Sequence, residues 1–130
     1  MQNTKIFISL SQVLMTVFLL AGSAIAGETH KSIPARFQGL WMENLKQCGS
    51  LDDTQLKITA KELHFYESHG SVRSIKTEGK LELHVVADFS GEGEKWQQSL
   101  RFRLSKDQKR LTDITDNPPL VRYRCPIRKK

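Results

Sequence analysis

The sequence predicts an all-β domain, a small antiparallel up-and-down barrel of about eight strands with one disulfide. A β-sandwich is the alternative arrangement of the same strands. Three observations carry this expectation. After residue 50, apolar residues recur with period two rather than with a helical period. Clusters of Gly, Ser, Asp, Asn and Pro punctuate the alternating runs. The chain's 2 cysteines, Cys48 and Cys125, bracket most of those runs.

The first strand is expected over 37–42, through Phe37, Gly39 and Trp41. Residues 43–50 are less regular and read as a turn of helix leading to Cys48. Leu56 and Ile58 alternate in a strand over 55–59, and Leu63 and Phe65 in one over 62–67. Ser68-His69-Gly70 reads as a tight connection. Val72 and Ile75 have opposite parity in the next strand, 71–77, which predicts a bulge. Glu78-Gly79 reads as a two-residue hairpin turn. In the strand 80–89, Leu81, Leu83, Val85, Ala87 and Phe89 take one face. Glu82, His84, Val86 and Asp88 take the other. Ser90-Gly91-Glu92-Gly93-Glu94 reads as a longer, mobile connection.

The run 95–104 puts Trp96, Leu100, Phe102 and Leu104 inward, against Lys95, Gln97, Ser99, Arg101 and Arg103. Residues 105–109 turn the chain, and 110–115 return it. Asn117-Pro118-Pro119 forces an extended approach to a last strand, 120–125. There Val121 and Tyr123 read as inward, and Arg122 and Arg124 as outward. Short connections make sequential neighbours antiparallel, and closure removes the unpaired edges of an open sheet.

Residues 1–26 read as a cleavable export leader. Lys5 supplies a cationic start, an apolar middle runs through Val13–Leu20, and Ala24-Ile25-Ala26 is a small-x-small exit. Ser9, Ser11 and Gln12 interrupt the apolar run, which leaves it short of the ~20 residues a membrane span needs. Cleavage after Ala26 and a periplasmic or secreted bacterial protein are expected. Residues 27–130 then form one domain. Its basic tail is 126–130, with Arg128, Lys129 and Lys130. Beyond the leader the chain keeps 19 cations against 14 acids, and residues 27–121 balance, 14 against 14. The excess sits at the C-terminal end. An oxidising compartment makes Cys48–Cys125 the only pairing available within one chain.

Gly39-Leu40-Trp41 on a first strand, followed by a meander, resembles the lipocalin and wider calycin barrels. In that family the Trp plugs the closed end and a basic side chain from near the last strand packs across it. The resemblance implies such a closure by Gly39 and Trp41, with Arg122 or Arg124 as the basic partner. The chain is shorter than typical lipocalins, so a large cavity is not implied. A second resemblance covers most of 36–125. Phe65-Tyr66-Glu67-Ser68, the Gly91–Trp96 run and Arg122-Tyr123-Arg124-Cys125 are similar to segments of small secreted bacterial proteins of uncharacterised function. It implies export and transfers no activity.

No constellation of residues announces catalysis. Glu67, Ser68 and His69 are consecutive, and consecutive residues cannot converge as base, nucleophile and orienter. His64 and His84, with Glu62 and Glu82 near them, lie on strands separated by another strand, about 10 Å apart and too far for one metal. Asp88, Glu92 and Glu94 lack the spacing of a calcium loop. There is no Gly-rich nucleotide loop and no His-Glu-x-x-His. No cofactor, metal or catalytic residue is expected.

Arg101 and Arg103, with Arg128, Lys129 and Lys130, form the candidate basic binding surface. Arg122 and Arg124 extend it into a stripe if they point outward. The aromatics between them have the opposite parity, so nucleic acid is not an expected partner. The expectation is an exported, non-catalytic, monomeric binding protein for a protein partner or a small ligand. The alternative is an envelope-associated structural or lipid-contact protein docked on anionic headgroups by its basic C-terminal end. Inhibition of a cell-wall-degrading enzyme is a third version, which net positive charge disfavours for a basic target such as lysozyme.

Overall fold

The computed structural model describes residues 27–127. The leader-like segment 1–26 and Arg128, Lys129 and Lys130 lie outside the described residues. Nine strands form one antiparallel sheet. They are β1 (Glu28–Thr29), β2 (Gly39–Met42), β3 (Leu56–Ile58), β4 (Glu62–Phe65), β5 (His69–Glu78), β6 (Glu82–Gly91), β7 (Glu94–Leu104), β8 (Arg110–Asp113) and β9 (Leu120–Arg124). From β2 onward each strand pairs with the next, and β9 pairs back onto β2. The result is a closed eight-stranded up-and-down barrel with β1 as an extra strand, consistent with a lipocalin-like barrel and not with a sandwich. β4 covers one edge of β5 at His69–Ser71, and β1 covers the same edge further on, at Lys76 and Thr77. Two residues are too few to show a period, which is why the sequence does not announce β1.

Alternation along each strand fills the interior. Leu83, Val85, Ala87 and Phe89 of β6 are buried together with Leu100, Phe102 and Leu104 of β7. Register between β5 and β6 shifts between Val72 and Ser74, the bulge that the parity of Val72 and Ile75 predicts. Past it, Ile75 and Thr77 turn inward and are buried. A single 3-10 turn, Leu45–Gln47, leads to Cys48, and Cys48 is bonded to Cys125 across a sequence separation of 77. Met42 alternates away from Trp41 onto the outer face, where it is fully buried.

Five local expectations are corrected. The β4–β5 turn is Tyr66-Glu67-Ser68, and His69 and Gly70 already pair within β5. The β5–β6 connection has three residues, Gly79 to Leu81, because Glu78 pairs with Glu82. The connection at 90–94 is a tight two-residue turn, with Gly91 opposite Glu94 and φ of 49° and 80° at Glu92 and Gly93. Positive φ at both central residues matches the twist of the flanking strands, so the hairpin needs no longer loop. Trp96 has inward parity but is 39% exposed, because it stands where the barrel wall ends.

The fifth correction concerns β9. Val121 and Tyr123 face outward, while Arg122 is 5% exposed and inward. Closure sets this parity: Trp41 pairs with Arg124 and Met42 with Tyr123. Directly opposed residues share a face, so Arg124 joins Trp41 inside.

Because strands alternate in direction, the connections sort to two ends. One end carries 30–38, 59–61, 79–81 and 105–109. The other carries 43–55, 66–68, 92–93 and 114–119.

Candidate functional site

The first end is closed. Residues 30–38 cross it, with Ile33 and Phe37 buried beneath the barrel. The backbone N–H of Ile33 donates to the Ala60 carbonyl at 2.8 Å, and Arg36 Nε donates to the Lys80 carbonyl at 2.6 Å. Arg124 fastens the rest. Its guanidinium carbon lies 4.2 Å from the centre of the Trp41 ring, a cation–π stack. Nε donates to the Gln108 carbonyl at 2.8 Å, Nη1 to Gln38 at 2.6 Å and Nη2 to Arg36 at 2.6 Å. Trp41 Nε1 donates to the Phe37 carbonyl at 3.0 Å. Gly39 makes room: a Cβ there would lie 3.1 Å from Arg124 Nη1, and its φ of +133° disfavours any other residue. The structure thus brings together Gly39, Trp41 and Arg124.

Arg122 lies elsewhere, inside the barrel between β8 and the 43–55 loop. Its Nε donates to the Thr54 carbonyl at 2.6 Å, and its guanidinium carbon lies 5.7 Å from the Phe65 ring centre. Nη1 is 3.8 Å from an Asp113 carboxylate oxygen and, among the described residues, has no hydrogen-bond partner. Burial lowers the Arg122 pKa, and Asp113 and Glu43 oppose that shift.

The second end is open. A cup of about 540 Å3 lies there, lined by Phe65, Phe89 and Leu100 below and by Asp53, Glu67, Asp113 and Asp116 around. This volume is in the range of small-ligand sites. Tyr66, Ser68, Gln98 and Thr115 complete the lining, which includes no Lys, Arg or His among the described residues. A smaller groove shares Glu67 and Ser68 with the cup and adds Glu92, Glu94 and Trp96. Trp96 stacks on Phe89 with ring centres 5.7 Å apart, and Phe65 tilts against Phe89 at 5.9 Å.

Two glycines shape this mouth. A Cβ at Gly70 would lie 2.8 Å from the Phe89 ring, so the bare backbone seats that ring. A Cβ at Gly91 would lie 2.5 Å from the Glu67 carbonyl and 2.9 Å from the Ser68 Cβ, so the 66–68 turn rests on Gly91. Neither glycine shows its role in the sequence, where each reads only as a turn former.

The remaining candidates separate. Glu67 and Ser68 line the cup, while His69 leaves along β5 and stacks on His64 at 5.3 Å. Glu62 reaches both rings, at 3.1 Å from His64 Nε2 and 3.9 Å from His69 Nε2. His84 is on β6, opposite Lys76. Glu78, Glu82 and His84 bring one ligand atom each within 4.8 Å of one another. Arg101 Nη2 already donates to Glu82 at 2.8 Å, and this bond lowers the Glu82 pKa. Asp88 faces Arg73 and Gln97 on the outer wall, and Arg73 holds its pKa down. Arg101 and Arg103 are exposed on the outside of β7. The continuous stripe with Arg122 and Arg124 does not form, because those two point inward.

Comparison with known protein families finds no match, and comparisons with curated proteins and with solved structures find none either.

Proposed function

We propose that this is an exported, non-catalytic binding barrel that receives a positively charged ligand in its open end. One observation carries the reading. Asp53, Glu67, Asp113 and Asp116 surround an apolar and aromatic floor, and no cationic side chain lines the cup among the described residues. A cation entering such a cup exchanges water for the carboxylates of Asp53, Glu67 and Asp116, while Asp113 already faces the buried Arg122 at 3.8 Å. The formal charge of the whole chain, +6, argues for an acidic partner, but the local charge at the mouth has the opposite sign. Recognition follows the local field. The leader-like pattern of 1–26 supports export.

The test is titration with tetralysine, observed on backbone amide resonances. Shifts are expected at Glu67, Ser68 and Asp116, and binding should weaken as salt rises. Asp53→Asn with Glu67→Gln and Asp116→Asn should weaken it at least tenfold. No shift at the mouth, or equal binding of tetraglutamate there, refutes the reading.

A second reading is inhibition of a basic cell-wall-degrading enzyme. The acidic mouth favours it, since the surface presented to such an enzyme is opposite in sign to the chain as a whole. Lysis of cell walls by lysozyme, with and without the protein, decides it.

A further inference from the structure

We infer that the closed end is a docking face for anionic phospholipid headgroups, which directs the open end away from the membrane. The charges of the connections segregate by end. At the closed end they are Lys31, Arg36, Lys61, Lys80, Lys106 and Lys109, against the single acid Asp107. Asp107 is engaged within its own turn, accepting from Ser105 Oγ at 2.6 Å and from the Lys109 N–H at 3.0 Å. At the open end the connections hold Glu43, Asp52, Asp53, Glu67, Glu92 and Asp116, against the single cation Lys46. Along the sequence these charges alternate. The up-and-down path sorts them, because every second turn reaches the same end.

The five lysines of the closed end are exposed, and each of its turns carries at least one. Of the acids on the neighbouring walls, Glu62 is turned to His64, Glu78 to His84 and Glu82 to Arg101, which leaves Glu28 of β1 exposed beside the face. β9 also runs to this end. It delivers Ile127, 92% exposed, and the sequence continues as Arg128, Lys129 and Lys130. An exposed apolar side chain beside exposed lysines suits a lipid interface better than a soluble polyanion, which offers Ile127 nothing to enter. Among the described residues no helix is long and apolar enough to cross a membrane. Docking through headgroup charge needs none. This inference is independent of what the open end binds.

The test uses the chain from Gly27 to Lys130 with its disulfide intact, since all the described strands, their core and both cysteines lie within that span. Vesicles of equal phosphatidylglycerol and phosphatidylcholine are compared with pure phosphatidylcholine by sedimentation, at low and at high salt. Binding is expected to the anionic vesicles alone and to disappear at high salt. Each neutralised lysine should cost about fivefold in affinity. A variant with Lys61→Gln, Lys80→Gln, Lys106→Gln and Lys109→Gln should therefore bind at least a hundredfold more weakly while keeping the parent's near-ultraviolet circular dichroism. Equal binding to neutral vesicles overturns the inference. So does normal binding by the four-lysine variant when a chain ending at Ile127 has lost it, which would place the contact in the tail alone. Retention on heparin without vesicle binding would assign the face to a soluble polyanion and overturn it too.

Discussion

Replacing Arg124 tests whether the closed end is held by a planar fork of donors or merely by positive charge. Its guanidinium meets three carbonyls, of Gln108, Gln38 and Arg36, and lies on the Trp41 ring. A hydrogen bond to a charged group contributes about 1.5–3 kcal/mol and an exposed cation–π contact about 0.5–1 kcal/mol. The site is half-buried, so water replaces part of what Ala removes, and the terms do not add in full. Arg124→Ala is expected to cost about 3 kcal/mol, a fall in Tm of roughly 10–20 °C for a domain of this size. Arg124→Lys keeps the charge but not the fork, and one ammonium cannot reach three carbonyls set around a plane. It should recover less than half of the loss. Urea unfolding of the oxidised protein, followed by tryptophan fluorescence, measures both variants. A cost below about 1 kcal/mol for Ala, or wild-type stability for Lys, refutes the argument. The first would mean that Ile33 and Phe37 close this end by burial alone, and the second that positive charge suffices without the fork.

Other expectations concern the disulfide, the mouth and pH. Reduction of Cys48–Cys125 should destabilise the domain by up to about 4–5 kcal/mol on the chain-entropy model, for its loop of 77 residues; equal Tm with and without reductant contradicts it. Gly91→Ala should displace the 66–68 turn and weaken tetralysine binding at least tenfold while the barrel stays folded. Amide shifts confined to 65–69 and 89–96 would show this, and unchanged affinity would remove Gly91 from the site's support. The depressed pKa of Glu82 arises first from its hydrogen bond with Arg101. A depressed carboxylate contributes stability that is present above its unfolded value, near 4.5, and is lost as pH falls through the folded one. Glu82→Gln should therefore flatten the acid side of the stability profile below about pH 4.5. A parallel displacement of the whole profile would contradict that.

Much of the wall was legible residue by residue. The alternation of Leu83, Val85, Ala87 and Phe89 shows both the strand and its buried face, since every second side chain of a strand meets the same neighbour. The bulge beside Arg73 shows as a break in that parity. The mouth was not legible in this way. Asp53, Glu67, Asp113 and Asp116 are scattered along the chain and converge only because alternate connections share an end. The signal was present all the same: once strand directions alternate, charges can be counted end by end rather than along the chain. Trp96 departs from the burial its parity predicts for a related reason. Parity says which way a side chain points but not whether the wall continues behind it.

Local chemistry therefore determined eight of the nine described strands and placed their turns to within a few residues, because backbone preference and two-residue alternation depend on near neighbours in sequence. Which side of β9 faces the core depended on the tertiary structure. Val121 and Tyr123 alternate as convincingly as any inward pair, yet Arg122 and Arg124 are the residues inside. That choice is made where β9 meets β2, with Arg124 opposite Trp41 and Cys125 turned outward toward Cys48. The charge difference between the two ends has the same origin. It follows from the closed path of the strands, so it exists only once residues distant in sequence have been brought side by side.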